Sequence, residues 1–176
     1  MGTRLLAASL MIMMLFTSCS FRNDEENTPS GLGRRYPDIE LENADYRVAE
    51  GEYGEVIIHC SRASFYNDTG YAVFEDAEFT QEGRLEGRAG NIKLYLETHD
   101  AELSGGIYLD LEEEQLSIEC TVMKWNSGDK TLTCPSDSVT VRYEDGNTIT
   151  GSGLTGDLER SIFTFDSVIE GRMEEP

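Results

Sequence analysis

Histidine, tryptophan and proline are scarce in this chain: two His, one Trp and four Pro in 176 residues. His59 and His99 lie in separate segments, neither at a metal-ligand spacing, and no H-E-x-x-H, C-x-x-C or G-x-S-x-G occurs. Zinc chemistry, thiol redox work and nucleophile-elbow hydrolysis therefore lack their residues. The reading is a protein without catalytic residues, metal or cofactor. Positive charge is also short, with 14 Lys and Arg against 34 Asp and Glu and a formal net charge of −20. Such a chain repels phosphate backbones and offers no basic stripe, which excludes nucleic acid as a partner. Runs at helical period are missing from Tyr36 onward, and no apolar run reaches the ~20 residues of a membrane-spanning helix.

The N-terminus does carry a pattern. Arg4 precedes an apolar run from Leu5 to Phe16, followed by Thr17, Ser18 and Cys19. Charge, apolar stretch and small residues in that order predict a secretory signal peptide over 1–18. Leu15-Phe16-Thr17-Ser18-Cys19 resembles a bacterial lipobox, which would make Cys19 the acylated first residue of the mature chain. Residues 19–35 are polar, with Pro29, Gly31 and Gly33, and read as a flexible tether. Residues 36–173 have room for one domain with a core.

Within that domain, apolar and polar residues alternate. The clearest segments are Ile92–Glu97, Ile107–Leu111, Leu116–Val122 and Val139–Tyr143. Turn signals at Asn67–Gly70, Gly105-Gly106, Ser127-Gly128 and Asp145–Asn147 divide them. The expectation is an all-β domain of about ten short strands. A loose repeat of Asn or Asp followed by a small residue (Asn43-Ala44, Asp76-Ala77, Asp100-Ala101, Asp137-Ser138, Asp166-Ser167) reads as degenerate strand-turn units. Cys120 and Cys134 flank the turn at Asn126–Asp129; a disulfide there and three buried thiols, Cys60 included, both fit.

Gly151, Gly153 and Gly156 in Ile149–Asp157 have the G-x-G-x-x-G spacing of a dinucleotide loop. That loop needs a helix opening at its last glycine and a parallel strand beyond. Only about twenty residues follow, and they read as a turn and strands. The glycines are expected to be backbone devices that admit bends, bulges or close approach.

The stretch from Asp145 to Leu154, then Asp157 and Phe163–Gly171, resembles the C-terminal part of the LptC family. Those are the bridge proteins of lipopolysaccharide transport, with a G-x-G-L element, a short spacer and a closing strand. Ala101–Ile107 resembles the family's A-x-L-x-G-x-V/I step, and Met123-Lys124-Trp125 its apolar-x-Trp step. The resemblance spans roughly Pro37 to Gly171. It implies an antiparallel β-jelly roll open along one side, a β-taco, with an apolar groove for acyl chains. Residues placed on that face are Ile92, Leu94 and Leu96; Ile107, Leu109 and Leu111; Leu116, Ile118 and Val122; Val139 and Val141; and Phe163 and Phe165. A closed, dry core would use the same pattern.

The resemblance further implies a non-enzymatic bridge. It would accept a glycolipid from the permeases of an inner-membrane ABC transporter and pass it to an LptA-like periplasmic protein by edge-strand pairing. The other reading is an acidic structural lipoprotein without cargo, displayed at a surface. Two features depart from the family: a lipid anchor in place of a transmembrane helix, and a charge that disfavours a phosphate-rich lipid unless divalent cations intervene.

Overall fold

In a computed structural model, the described residues are 36–49 and 54–173. The expected signal peptide, Cys19 and the tether lie outside them. The described residues contain ten strands and no helix: β1 (Ile39–Ala49), β2 (Glu55–Tyr66), β3 (Tyr71–Gln81), β4 (Leu85–Tyr95), β5 (Ala101–Leu111), β6 (Leu116–Asn126), β7 (Thr131–Cys134), β8 (Val139–Tyr143), β9 (Thr148–Asp157) and β10 (Ile162–Arg172). All pairings are antiparallel and belong to a single sheet, β1-β2-β3-β4-β5-β6-β7-β9-β10. β7 and β8 share one position. β7 pairs with the C-terminal part of β6 and β8 with its N-terminal part, and both then pair with β9. This is the expected all-β class, an antiparallel sheet wrapped on itself as an open β-taco.

The strands are longer than the sequence suggested. Eight of the ten run 10–12 residues. They read as short because alternation breaks in mid-strand. Buried residues follow one another at a step of three, not two, from Cys60 to Ala63, Phe74 to Ala77, Ala89 to Ile92, Cys120 to Met123 and Gly151 to Leu154. At these steps the ladder skips pairs or shifts register, as between Arg88 and Asn91 of β4 and between Ser104 and Ile107 of β5. The steps align across neighbouring strands into a transverse seam.

The seam's residues explain it. Asn43, Asp76 and Gly153 adopt φ of 48°, 47° and 58°, and Gly105 and Gly106 lie at 87° and 82°. A left-handed residue reverses the pleat, so one extra residue leaves both halves of a strand facing inward. Asn, Asp and Gly tolerate that conformation best. Gly90 and Gly105 meet so closely that a Cβ on Gly90 would stand 2.9 Å from the Gly105 carbonyl oxygen. Ser136, in the link between β7 and β8, ties the seam together. Its Oγ lies 3.0 Å from Thr121 Oγ1 and accepts from the Val122 N–H at 3.2 Å, while its carbonyl accepts from the Gly153 N–H at 3.2 Å.

Asn43-Ala44, Asp76-Ala77 and Asp166-Ser167 thus lie within strands, not in turns ahead of them. The Asx-small pattern marks the seam there. Only Asp100 and Asp137 sit between strands.

The inner face forms one continuous core. Phe74 on β3, Ile118 on β6, Leu132 on β7, Val139 and Val141 on β8 and Leu154 on β9 are fully buried. Tyr46, Phe65 and Phe74 pack ring on ring, with centroids 5.2–6.2 Å apart. The outer face carries exposed ion pairs such as Arg62–Glu75 at 3.1 Å and Lys124–Glu102 at 3.8 Å, each a minor contribution to stability.

Candidate lipid-binding cavity and sheet edges

Folding the sheet brings β1–β3 opposite β6, β7 and Leu158, the first residue after β9, and leaves an apolar cavity of ≈ 130 Å³ between them. Its walls come from Val48, Val56 and Ile58 on one side and Met123, Trp125 and Leu132 on the other, with β4 and β5 at the fold. Gln81 and His99 are its polar wall residues. Apolar cavities of roughly 150 Å³ stay dry and admit a benzene-sized ligand. The space therefore suits a short stretch of alkyl chain.

All but one residue of the sequence-predicted face fall into three groups. Ile92, Leu94, Leu109 and Leu111 line the cavity. Ile107, Leu116, Ile118, Val139 and Val141 are buried in the packed core beside it, and Leu96, Phe163 and Phe165 pack half-buried against that core. Val122 lies on the outer face, which corrects its expected placement: it is 38% exposed, whereas Met123 is 3% exposed and faces inward. The seam crosses β6 between Cys120 and Met123, so simple alternation from Cys120 picks the wrong residue.

The same step hid Met123 as a wall residue; Leu103, Phe79 and Ile58, each in phase within its own half-strand, also line the wall. An Asx or Gly of left-handed geometry marks the break in β1, β3, β5 and β9, whereas β2 and β6 break at Ser61-Arg62 and Thr121-Val122 with no such signal.

The three spaced glycines lie in β9, next to edge strand β10. A Cβ on Gly156 would meet the Phe163 ring at 2.8 Å, and one on Gly151 would collide with the Phe165 ring and the Ser167 carbonyl. Gly151 and Gly156 thus seat the two phenylalanines across the strand pair, and Gly153 carries the seam beneath Asp166.

Cys60, Cys120 and Cys134 are free, buried thiols. Of the two readings left open by the sequence, the structure has the thiols. The Cys120 sulfur and burial together push the Cys134 thiol upward, and burial pushes up Cys60.

A second, polar cavity of ≈ 500 Å³ adjoins the first and shares Gln81, Leu85, Leu111, Trp125 and Leu158 with it. Arg84, Glu113, Glu114, Lys130, Glu159 and Ser161 complete its wall. Arg84 Nε stands 3.2 Å from Glu113 Oε1, and the Lys130 ammonium 5.7 Å from the centre of the Trp125 ring. Burial raises the Glu114 carboxyl above its ordinary value, partly offset by Arg84 and by a hydrogen bond from Ser161.

The sheet ends at β1 and β10. Ile39 and Leu41 on β1, and Ile162, Val168 and Ile169 on β10, are exposed. Unpaired edges with apolar side chains are templates for an added strand.

No family model matches the chain, and no curated protein matches it. Among solved structures it is similar to the crystal structure of LptH from Pseudomonas aeruginosa, described as the LptA-homologous periplasmic component of the conserved lipopolysaccharide transport device. The two share 18% identity and a TM-score of 0.56 over 62% of this chain and 80% of that one. The likeness is one of fold, an antiparallel sheet open along one side, over the matched part of the chain.

Proposed function

We propose that the domain is a non-enzymatic lipid conveyor at the cell envelope. In this reading residues 1–18 are removed, acylated Cys19 holds the chain to the periplasmic face of the inner membrane, and 19–35 tether the folded domain at 36–173. Two acyl chains suffice for durable anchoring. The domain takes the acyl chains of an amphiphilic glycolipid from an inner-membrane ABC transporter, as an LptC-like bridge would, and passes them to a periplasmic β-taco partner. The observation that carries the reading is the apolar cavity between two halves of a sheet whose outermost strands β1 and β10 bear exposed apolar residues. Apolar burial, at ~25 cal/mol per Å², binds a chain without any catalytic group. Strand addition at an edge supplies backbone hydrogen bonds to the partner. Glu40, Glu42 and Asp45 on β1 outnumber its Arg47, and Asp166 and Glu170 on β10 outnumber its Arg172. The acidic edges disfavour stacking of identical copies and favour a distinct partner.

Photocrosslinking in intact cells tests this, with the probe at Phe79 or Leu109 on the cavity wall and at Val122 on the outer face. Glycolipid adducts at the wall positions and none at Val122 are expected. A lipid-free protein that protease digests on intact cells would instead be the acidic surface lipoprotein without cargo.

A further inference from the structure

We propose that the polar cavity adjoining the apolar one is a headgroup seat selective for a hydroxyl-rich, glycosyl headgroup over a phosphate. The inference rests on the lipid-conveying reading and specifies which amphiphile the site accepts. Three observations carry it.

The two cavities share one wall, Gln81, Leu85, Leu111, Trp125 and Leu158. An amphiphile with its chain among the apolar residues therefore has the polar space directly beside it for its headgroup. The polar space is also the roomier, ≈ 500 Å³ against ≈ 130 Å³, in proportion to a sugar carried on a short inserted stretch of alkyl chain.

The charges in that space point the same way. Two cations, Arg84 and Lys130, face three carboxylates, Glu113, Glu114 and Glu159. Arg84 is already committed to Glu113. Ionised carboxylates only accept hydrogen bonds. They match sugar hydroxyls, which donate, and they repel phosphate oxygens. The net charge of −20 adds a repulsive field in the same sense. Ser161 and Gln81 supply groups that both donate and accept, and Trp125 offers an apolar ring face to a sugar.

Trp125 is the sole tryptophan and stands on the shared wall, so its fluorescence reports occupancy directly. The full-length protein is titrated below micelle formation with dodecyl maltoside, dodecyl phosphate and dodecanol, the phosphate with and without Ca²⁺. Dodecyl maltoside is expected to bind at least about fivefold more tightly than dodecyl phosphate, the scale of one net hydrogen bond. Glu114→Gln and Ser161→Ala, both in hairpin turns, are each expected to weaken the maltoside about fivefold and leave dodecanol unchanged. Equal binding of the two headgroups, or tighter phosphate binding with or without Ca²⁺, overturns the headgroup seat and leaves the lipid conveyor standing. Failure of all three probes, dodecanol included, overturns both.

Discussion

Gly153→Ala probes the seam where it is most confined. Gly153 sits at φ 58°. An added methyl would collide with the Asp166 carboxylate, whose Cγ stands 2.6 Å from the ideal Cβ position. The left-handed backbone alone costs an alanine about 1–2 kcal/mol. Asp166 is exposed and can swing outward, which limits the steric part to about 1 kcal/mol. The sum is a loss of about 2–3 kcal/mol, read by urea denaturation as a lower midpoint at unchanged slope. In an Asp166→Ala background the backbone cost survives, together with a 3.0 Å contact to the remaining Cβ. There the same substitution costs about 1–2 kcal/mol, a coupling near 1 kcal/mol between the two sites. An equal loss in both backgrounds refutes the contact. A loss below about 0.5 kcal/mol in the parent chain refutes the left-handed geometry.

The position of the seam in β6 is checked by a pair of substitutions. Val122→Lys is expected to stay within about 0.5 kcal/mol of the parent and Met123→Lys to lose more than about 3 kcal/mol; the reverse order would place the seam elsewhere. Ile118→Ala, at a fully buried site, is expected to cost about 2–5 kcal/mol in the same denaturation assay. A smaller loss would mean that the core beside the cavity is loosely packed. Glu114 gives a pH-dependent signature. Burial raises its carboxyl in the folded state, so the folded chain binds more protons and stability falls as pH rises through the raised value. Glu114→Gln should therefore raise the melting temperature near pH 7, and the gain should vanish at about pH 3, below the ordinary carboxylate range. A gain of the same size at both pH values would exclude titration of Glu114 as its cause.

Half-strand alternation was enough to read the fold class and most of the inner face. Ile107, Leu109 and Leu111 stand on one side of the β5 seam, Leu116 and Ile118 on one side of the β6 seam, and each run is faithful to period two. What could not be read was the joint between halves. Cys120 and Met123 face the same way because an extra residue is absorbed where the ladder shifts, a fact of pairing with β5 that β6 does not carry in its own pattern. The cavity was illegible for a related reason. Val48, Leu132 and Leu158 are far apart in the chain and meet only because the sheet folds over. The glycines were legible as backbone devices but not individually, since Phe163 and Phe165 declare their seats only once β10 is registered against β9.

The seam also makes this sheet count residues. Removing one residue at Asp76 would restore plain alternation to β3 but leave half of it one residue out of step with its neighbours, unless β2 and β4 changed length with it. Length variation is thereby confined to the hairpin ends, where a turn can grow without disturbing a neighbour. The rule extends past the last strand. A strand arriving at β10 meets an interrupted ladder opposite Asp166 and a bulge between Val168 and Glu170. It pairs in register along both of its halves only if it brings a matching extra residue. An incoming strand is thus screened by its residue count before its side chains are tested.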